Sequence, residues 1–203
     1  KLMKNFLITQ IVTYTKKRGY QFTLSKDWYD YSKRLNINLI PYSYSFSKKQ
    51  LNSFKLSGII FTGGNDLNVL NKNEENLFRD KEELKLLNYY KNKKIKILGI
   101  CRGFQLIVFN FGIVPTKTKL HVKKNHKIYF SDNNFLKKKF IGVNSYHNYS
   151  INRLPKEFKN IASHVDKSIE IASYKDNINC FMFHPERPNS SQNEVNSYFK
   201  KAL

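Results

Sequence analysis

Acidic side chains are scarce in this sequence: 15 Asp and Glu stand against 36 Lys and Arg in 203 residues, a formal charge of +21. Cysteine is scarcer still. Two residues, Cys101 and Cys180, cannot build a disulfide framework, so the cytoplasm is the expected compartment. No apolar run approaches the roughly 20 residues of a membrane span. The leading apolar stretch, residues 6–12, is interrupted by Thr9 and Gln10 and is too short and wrongly flanked for a secretory signal, so no membrane role is expected. Internal repeats and Pro/Gly/Ser-rich linkers are also missing. With 40% hydrophobic residues, residues 1–203 are expected to form one ordered domain with a full core.

The scarcity of arginine bears on the charge. Lysine greatly outnumbers it, and the lysines are dispersed along the chain. Arginine is the residue best suited to read bases and phosphates bidentately, and no helix-turn-helix, zinc-finger or aromatic RNA-binding motif is present. Nucleic-acid binding as the main function therefore rests on charge alone, and an anionic small substrate suits the same charge.

What is present is an alternation of apolar runs and helical patterns. Residues 5–12 (NFLITQIV), 38–42 (NLIPY), 58–62 (GIIFT) and 96–100 (KILGI) read as strands, the second ended or edged by Pro41. Residues 25–35 read as a helix with Ser25 as N-cap and Trp28, Tyr31 and Leu35 on one face. Residues 73–92 read as another, with Glu74 and Glu75 in the first turn and Leu77, Leu84, Leu87 and Tyr90 on the apolar face. A helix over 103–111 stops at Gly112; hairpins follow over 119–144, then strands near 168–174 and 179–184 and a helix from about Ser191. This order predicts an α/β fold with parallel neighbours.

Three segments carry candidate chemistry. Gly99-Ile100-Cys101-Arg102-Gly103 stands between a strand and a helix and has the form of a nucleophile elbow with cysteine in place of serine. Small flanking residues permit a sharp turn, the following helix aims its positive end at the sulfur, and the Arg102 N–H can donate to an oxyanion. A buried structural cysteine is the plainer alternative. In Phe183-His184-Pro185-Glu186, proline favours an extended His184, and residues at i and i+2 then face one way, so Glu186 can hold the imidazole. The alternative is a surface turn. In Thr62-Gly63-Gly64-Asn65-Asp66, adjacent glycines let backbone N–H groups approach a ligand at a strand end, where open α/β sheets bind ligands. Arg79, Asp80 and Glu83 are spaced for salt bridges along one helix. No His, Cys or carboxylate spacing points to a metal, and His121, His126 and His164 read as structural or surface residues.

Taken together, GICRG, FHPE and TGGND resemble the class I glutamine amidotransferase superfamily, most closely its free-standing γ-glutamyl hydrolases, over roughly residues 5–190. The resemblance implies a flavodoxin-like three-layer sandwich with a mostly parallel central sheet. It implies a Cys101–His184–Glu186 triad working through a thioester, with the oxyanion on the backbone N–H groups of Gly64 and Arg102 and no cofactor. Gly63, Asn65 and Gln105 would help bind the glutamyl part of the substrate. So would Asn144, Ser145, Tyr146 and His147, which match the family's NS-aromatic-His stretch.

Within that branch the chain looks most like bacterial hydrolases of γ-glutamyl-CDP-amidate, whose reaction yields glutamate and cytidine diphosphoramidate for capsule sugars. Arg102, Arg187 and nearby lysines would then favour the anionic leaving group. Polyamine and folate conjugates are the other free-standing substrates. A glutaminase subunit feeding ammonia to a separate synthetase is the main alternative; such a partner is compatible with the sequence but not required. A cysteine variant of the α/β-hydrolase fold fits poorly, because its acid precedes its base in the chain.

Overall fold

The structure, a computed structural model, describes residues 3–119, 121–122, 124–131 and 135–203. In chain order it begins with strand β1 (Lys4–Ile8), the hairpin β2 (Ile11–Thr15) and β3 (Gly19–Thr23), helix α1 (Lys26–Leu35) and strand β4 (Ile37–Pro41). A short helix α2 (Lys48–Ser53) leads to β5 (Gly58–Phe61), α3 (Glu74–Tyr90), β6 (Lys96–Ile100) and α4 (Arg102–Asn110). The strands β7 (Thr116–Lys117), β8 (Lys124–Phe130), β9 (Phe140–Ser145), β10 (Tyr149–Ser150), β11 (Lys159–Ser163), β12 (Ile169–Tyr174) and β13 (Ile178–Phe181) precede the final helix α5 (Gln192–Ala202).

Nine strands form the central sheet in the order β4-β1-β5-β6-β13-β12-β11-β8-β9. The first five are mutually parallel, with the strand order of a doubly wound flavodoxin-like sheet. The last four extend it antiparallel. The expected parallel sheet is thus the half that carries the elbow, and the chain turns to hairpins beyond it.

Period-2 alternation divides the core into two layers. Leu7, Ile59, Phe61 and Ile97 pack with Leu87, Tyr90, Phe104 and Ile107 of α3 and α4. Phe6, Ile8, Ile60 and Leu98 face the other way, against Trp28 and Tyr31 of α1 and Val195 and Phe199 of α5. This is the three-layer sandwich the resemblance implied.

Local chemistry sets the boundaries. The Ser25 hydroxyl accepts from the Asp27 N–H, and Asn36, with φ of 56°, ends α1 in the left-handed region that asparagine tolerates. The Asn73 side chain caps α3 by accepting from the Asn76 N–H at 2.7 Å. Pro41 closes the edge strand β4, where a missing N–H is harmless.

Two expectations need correction. Residues 5–12 are two strands, not one: the chain leaves the sheet at Thr9, whose N–H donates to the Ile60 carbonyl at 2.9 Å, and turns into the β2–β3 hairpin. The inward face of α3 also differs. Leu77 is 57% exposed, while Asn76, Arg79, Asp80 and Glu83 are buried with Leu86, Leu87 and Tyr90. Charged residues occupy the inner face because they find ionic partners there. In the segment 119–144, β8 and β9 form the expected hairpin, with residues 120, 123 and 132–134 outside the described residues.

This assignment of faces is open to test. Leu87→Ala should cost about 2–5 kcal/mol in urea unfolding, whereas Leu77→Ala should stay within about 0.5 kcal/mol. Equal losses at both positions would mean that α3 is rotated from this arrangement.

Candidate active site

The parallel strands deliver their carboxyl ends to one edge, and three turns meet there. Between β6 and α4, Cys101 adopts φ 52° and ψ −106°, a conformation outside the helical and extended regions that costs about 1–3 kcal/mol. Its N–H donates to the Phe181 carbonyl at 2.7 Å, fixing the elbow to β13. The flanking glycines are required by packing. A Cβ on Gly103 would stand 2.1 Å from the Phe61 carbonyl oxygen, and one on Gly99 2.7 Å from Ile107 Cδ1. Only bare Cα atoms let α4 seat this closely and place its N-terminus at Cys101.

His184 and Glu186 follow β13. The strand ends at Phe181, so the pair stands in a turn rather than an extended segment, with the Arg187 N–H donating to the His184 carbonyl at 3.3 Å. Nevertheless His184 Nδ1 lies 2.7 Å from Glu186 Oε1, with both side chains buried. Burial alone would lower the His184 pKa. The charges of Glu186 and then Cys101 outweigh it and push the imidazole up to about 10.

The Gly63-Gly64 turn completes the edge. A Cβ on Gly63 would stand 2.6 Å from His184 Cε1 and 3.3 Å from Cys101 Cβ, so this glycine makes room for the imidazole beside the thiol. Gly64 has φ of 76°, a left-handed conformation natural to glycine. Arg79, fully buried, clamps the turn. Its Nη1 donates to the carbonyls of Gly63 (3.1 Å) and Gly64 (2.7 Å), and its Nη2 to the Thr62 carbonyl (3.1 Å). In a planar trans peptide the C=O and the next N–H point in opposite directions. By holding the Gly63 carbonyl, Arg79 therefore turns the Gly64 N–H away from itself.

Arg79 Nε also donates to Glu83 at 2.7 Å. Glu83 in turn accepts from Arg102 Nη1 at 2.5 Å, and Arg102 Nη2 bonds Asp80. Burial would raise the Glu83 pKa, but Arg102 and Arg79 together hold it below the usual carboxylate range. One neutral group of four buried charges thus joins the glycine turn to the residue following Cys101. Sequence spacing revealed only the helical pairing of this set, not its burial or its partners in two loops.

A cavity of about 440 Å³ opens over the edge, lined in part by Gly64, Cys101, Gln105, Tyr146, His184 and Arg187. Several expected substrate contacts stand elsewhere. Asn144 is off this wall; its Oδ1 accepts from the His184 N–H (2.9 Å) and its Nδ2 donates to the His184 carbonyl (2.8 Å), bracing the turn. Ser145 is buried and donates to the His121 carbonyl at 2.7 Å. Asn65 lines the cavity, but its amide is engaged with both backbone groups of Val12 and with Arg79, which leaves its backbone for a ligand. The Arg102 guanidinium is spent on Asp80 and Glu83, so it cannot serve an anionic leaving group. Arg187 stands at the rim, its Nε 3.8 Å from Glu186 Oε1 and its guanidinium 5.0 Å from the Tyr146 ring centre. Gln105 Nε2 donates to the Tyr149 carbonyl at 3.0 Å. Asn189 was not foreseen: its Nδ2 donates to the carbonyls of His184 (3.1 Å) and Arg187 (2.7 Å), a loop role that no local sequence signal announces.

Comparison with known proteins places these features in context. Residues 19–201 match the model of the family described as glutamine amidotransferase class-I. The chain is 33% identical over 159 residues to the γ-glutamyl-CDP-amidate hydrolase of Campylobacter jejuni, covering 78% of this chain and 76% of that protein. It is 30% identical over 156 residues to a glutamine-hydrolysing GMP synthase of Borrelia garinii, spanning 73% of this chain but about a quarter (26%) of that protein. A glutamine amidotransferase from Thermotoga maritima superposes with a TM-score of 0.74 at 13% identity, covering 100% of this chain and 97% of that one, a likeness of fold.

Two measurements probe the site. The folded His184 pKa lies above its ordinary 6.5, so the stability it contributes is complete below pH 6.5 and is lost as pH rises towards about 10. The melting-temperature advantage of the wild type over His184→Gln should therefore shrink steadily across that window; a constant difference would deny the ion pair. Arg79→Met, which strands Glu83 and the loop carbonyls, should cost about 3–5 kcal/mol in urea unfolding, and a loss under 1 kcal/mol would show that the clamp is dispensable.

Proposed function

The chain belongs to the class-I glutamine amidotransferase family, and from that premise we propose that it hydrolyses a γ-glutamyl amide with Cys101, His184 and Glu186 as a triad. The observation that carries this reading is the strained Cys101 elbow beside a buried His184 whose Nδ1 lies 2.7 Å from Glu186 Oε1.

In the first half-reaction the Cys101 sulfur attacks the γ-carbonyl carbon. The carbonyl π pair moves onto oxygen, and the N–H groups of Gly64 and Arg102 stabilise that charge. Collapse of the tetrahedral adduct breaks the C–N bond, and His184 delivers its proton to the departing nitrogen. A γ-glutamyl thioester remains on Cys101. Water then attacks it, His184 accepts the water's proton, and glutamate leaves as the thiolate and imidazolium are restored. Glu186 orients His184 and balances its charge throughout.

The substrate we assign is γ-L-glutamyl-CDP-amidate, which would yield cytidine diphosphoramidate for capsule phosphoramidate. Support comes from the Campylobacter relative, matched over about three quarters of both chains, and from Arg187 at the rim, where a diphosphate would find a cation. Residues 1–203 would act as one hydrolase domain, in the cytoplasm, where the two free cysteines remain reduced.

A second reading is a glutaminase subunit that passes ammonia to a separate synthetase. Its support is the similarity to glutamine-hydrolysing GMP synthases and to the anthranilate synthase component 2 of Helicobacter pylori, the latter over 46% of this chain.

Glutamate release from γ-glutamyl-CDP-amidate and from glutamine separates the two. The hydrolase reading expects fast turnover of the nucleotide amidate, slow turnover of glutamine, and loss of activity by at least about 10³-fold in Cys101→Ala. Turnover of glutamine alone, stimulated by a synthetase, would favour the second reading, and an active Cys101→Ala protein would defeat both.

A further inference from the structure

Behind the cavity wall lies a cluster that the hydrolytic chemistry does not use. Glu170, on β12, is fully buried, and among the described residues neither of its carboxylate oxygens has a hydrogen-bond partner. Three imidazoles surround it. His147 Nε2 is 3.6 Å and His121 Nδ1 4.0 Å from Oε1, while His126 Nε2 is 3.5 Å from Oε2. Charge-assisted hydrogen bonds are about 2.7–2.9 Å long. His121 does reach such a length with Asp166, at 2.7 Å.

We propose that His121, His147 and Glu170 form a site for a divalent transition-metal ion of the zinc class. Their donor atoms all lie within 4.8 Å of one another. Four ligands at about 2.0–2.1 Å around zinc stand about 3.3–3.4 Å apart, so binding draws the 3.6 Å pair together by a few tenths of an ångström and the 4.0 Å pair by more.

The outer contacts fix the required tautomers. His121 Nε2 lies 2.7 Å from Asp166 Oδ2, so it carries the proton and leaves the lone pair on Nδ1, which meets His126 Nδ1 at 3.3 Å and would pass from that contact to the ion. Asp166 is itself held by the Ser168 N–H at 2.9 Å and the Ser168 hydroxyl at 2.6 Å. His147 Nδ1 donates to the Tyr149 carbonyl at 3.0 Å, which leaves Nε2 as the inward lone pair. A carboxylate or carbonyl behind each ligating imidazole is the usual outer shell of a metal centre. The two-nitrogen, one-carboxylate set suits zinc, cobalt or nickel better than calcium or magnesium, which prefer oxygen. His126 stands outside this set, with its Nε2 3.5 Å from the second Glu170 oxygen. An ion would also neutralise a buried carboxylate that otherwise faces lone pairs.

Such an ion would tie β12 and the segment preceding β8 to the residues after β9, where Tyr146 and His147 line the cavity. Its role is to hold that wall. The inference is independent of the hydrolase reading, because it invokes none of Cys101, His184 or Glu186.

The test uses the full chain stripped with a chelator and titrated with Co(II), followed by visible absorption and then displacement with Zn(II). We expect one ion per chain, the intense d–d bands of four-coordinate cobalt, a higher melting temperature with zinc, and an unchanged spectrum in Cys101→Ala. Glu170→Gln should lose the bands. Should that variant not fold, paramagnetically shifted ring protons of His121 and His147 in the wild-type cobalt protein locate the ion directly. No binding at micromolar metal, or binding that disappears in Cys101→Ala, would overturn the proposal; the former would mean that protons on the imidazoles balance Glu170 instead.

Discussion

One buried guanidinium governs the geometry of this site. Arg79 reaches from α3 to three successive carbonyls of the turn after β5 and to Glu83 on its own helix. Glu83 then bonds Arg102, the residue after the elbow cysteine. Because peptide planarity couples each carbonyl to the N–H that follows it, fixing the acceptors on one side of the turn fixes the donors on the other. Two loops from different strands thus share one ionic framework. Replacing such a framework with apolar side chains often costs little stability, so stability alone does not explain four buried charges; shared orientation of the two loops does.

The rest of the site is built against that framework. The Cys101 backbone sits outside the ordinary allowed regions and is held there by the Phe181 carbonyl and by α4 pressed onto β5 through bare glycine Cα atoms. The antiparallel half of the sheet contributes the second support. Asn144, at the end of β9, accepts from the His184 N–H and donates to its carbonyl, so the turn carrying the imidazole is braced from a strand far from it in the sheet. Asn189 adds two further bonds to the same turn.

These contacts explain what could and could not be read from the sequence. The elbow and the glycine turn announce themselves locally, because the backbone conformation demands glycine at set spacings. The helix α1, with Ser25 ahead and Trp28, Tyr31 and Leu35 inward, is local in the same sense. Apolar periodicity puts Leu77 on the inner face of α3, yet Leu77 is exposed, because periodicity does not register a face whose buried residues are Arg79, Asp80 and Glu83. Asn144 and Ser145 sit in a motif whose resemblance implied substrate contact, yet their partners are the His184 backbone and the His121 carbonyl. Glu170 lies more than twenty residues along the chain from each histidine around it, and they meet only when β8, β9 and β12 assemble. The charge of +21 likewise misleads if taken as a sum: Arg79 and Arg102 are both consumed by internal partners, and Arg187, at the cavity rim, lies 3.8 Å from Glu186.

The central claim is that the sulfur of Cys101 carries the glutamyl group between bond cleavage and hydrolysis. Acid quench during turnover of γ-glutamyl-CDP-amidate, followed by peptide mass spectrometry, measures this directly. The account predicts a γ-glutamyl mass increment on the peptide containing Cys101 and none on the peptide containing the core residue Cys180. Sustained turnover with no adduct, or an adduct on Cys180, would contradict it.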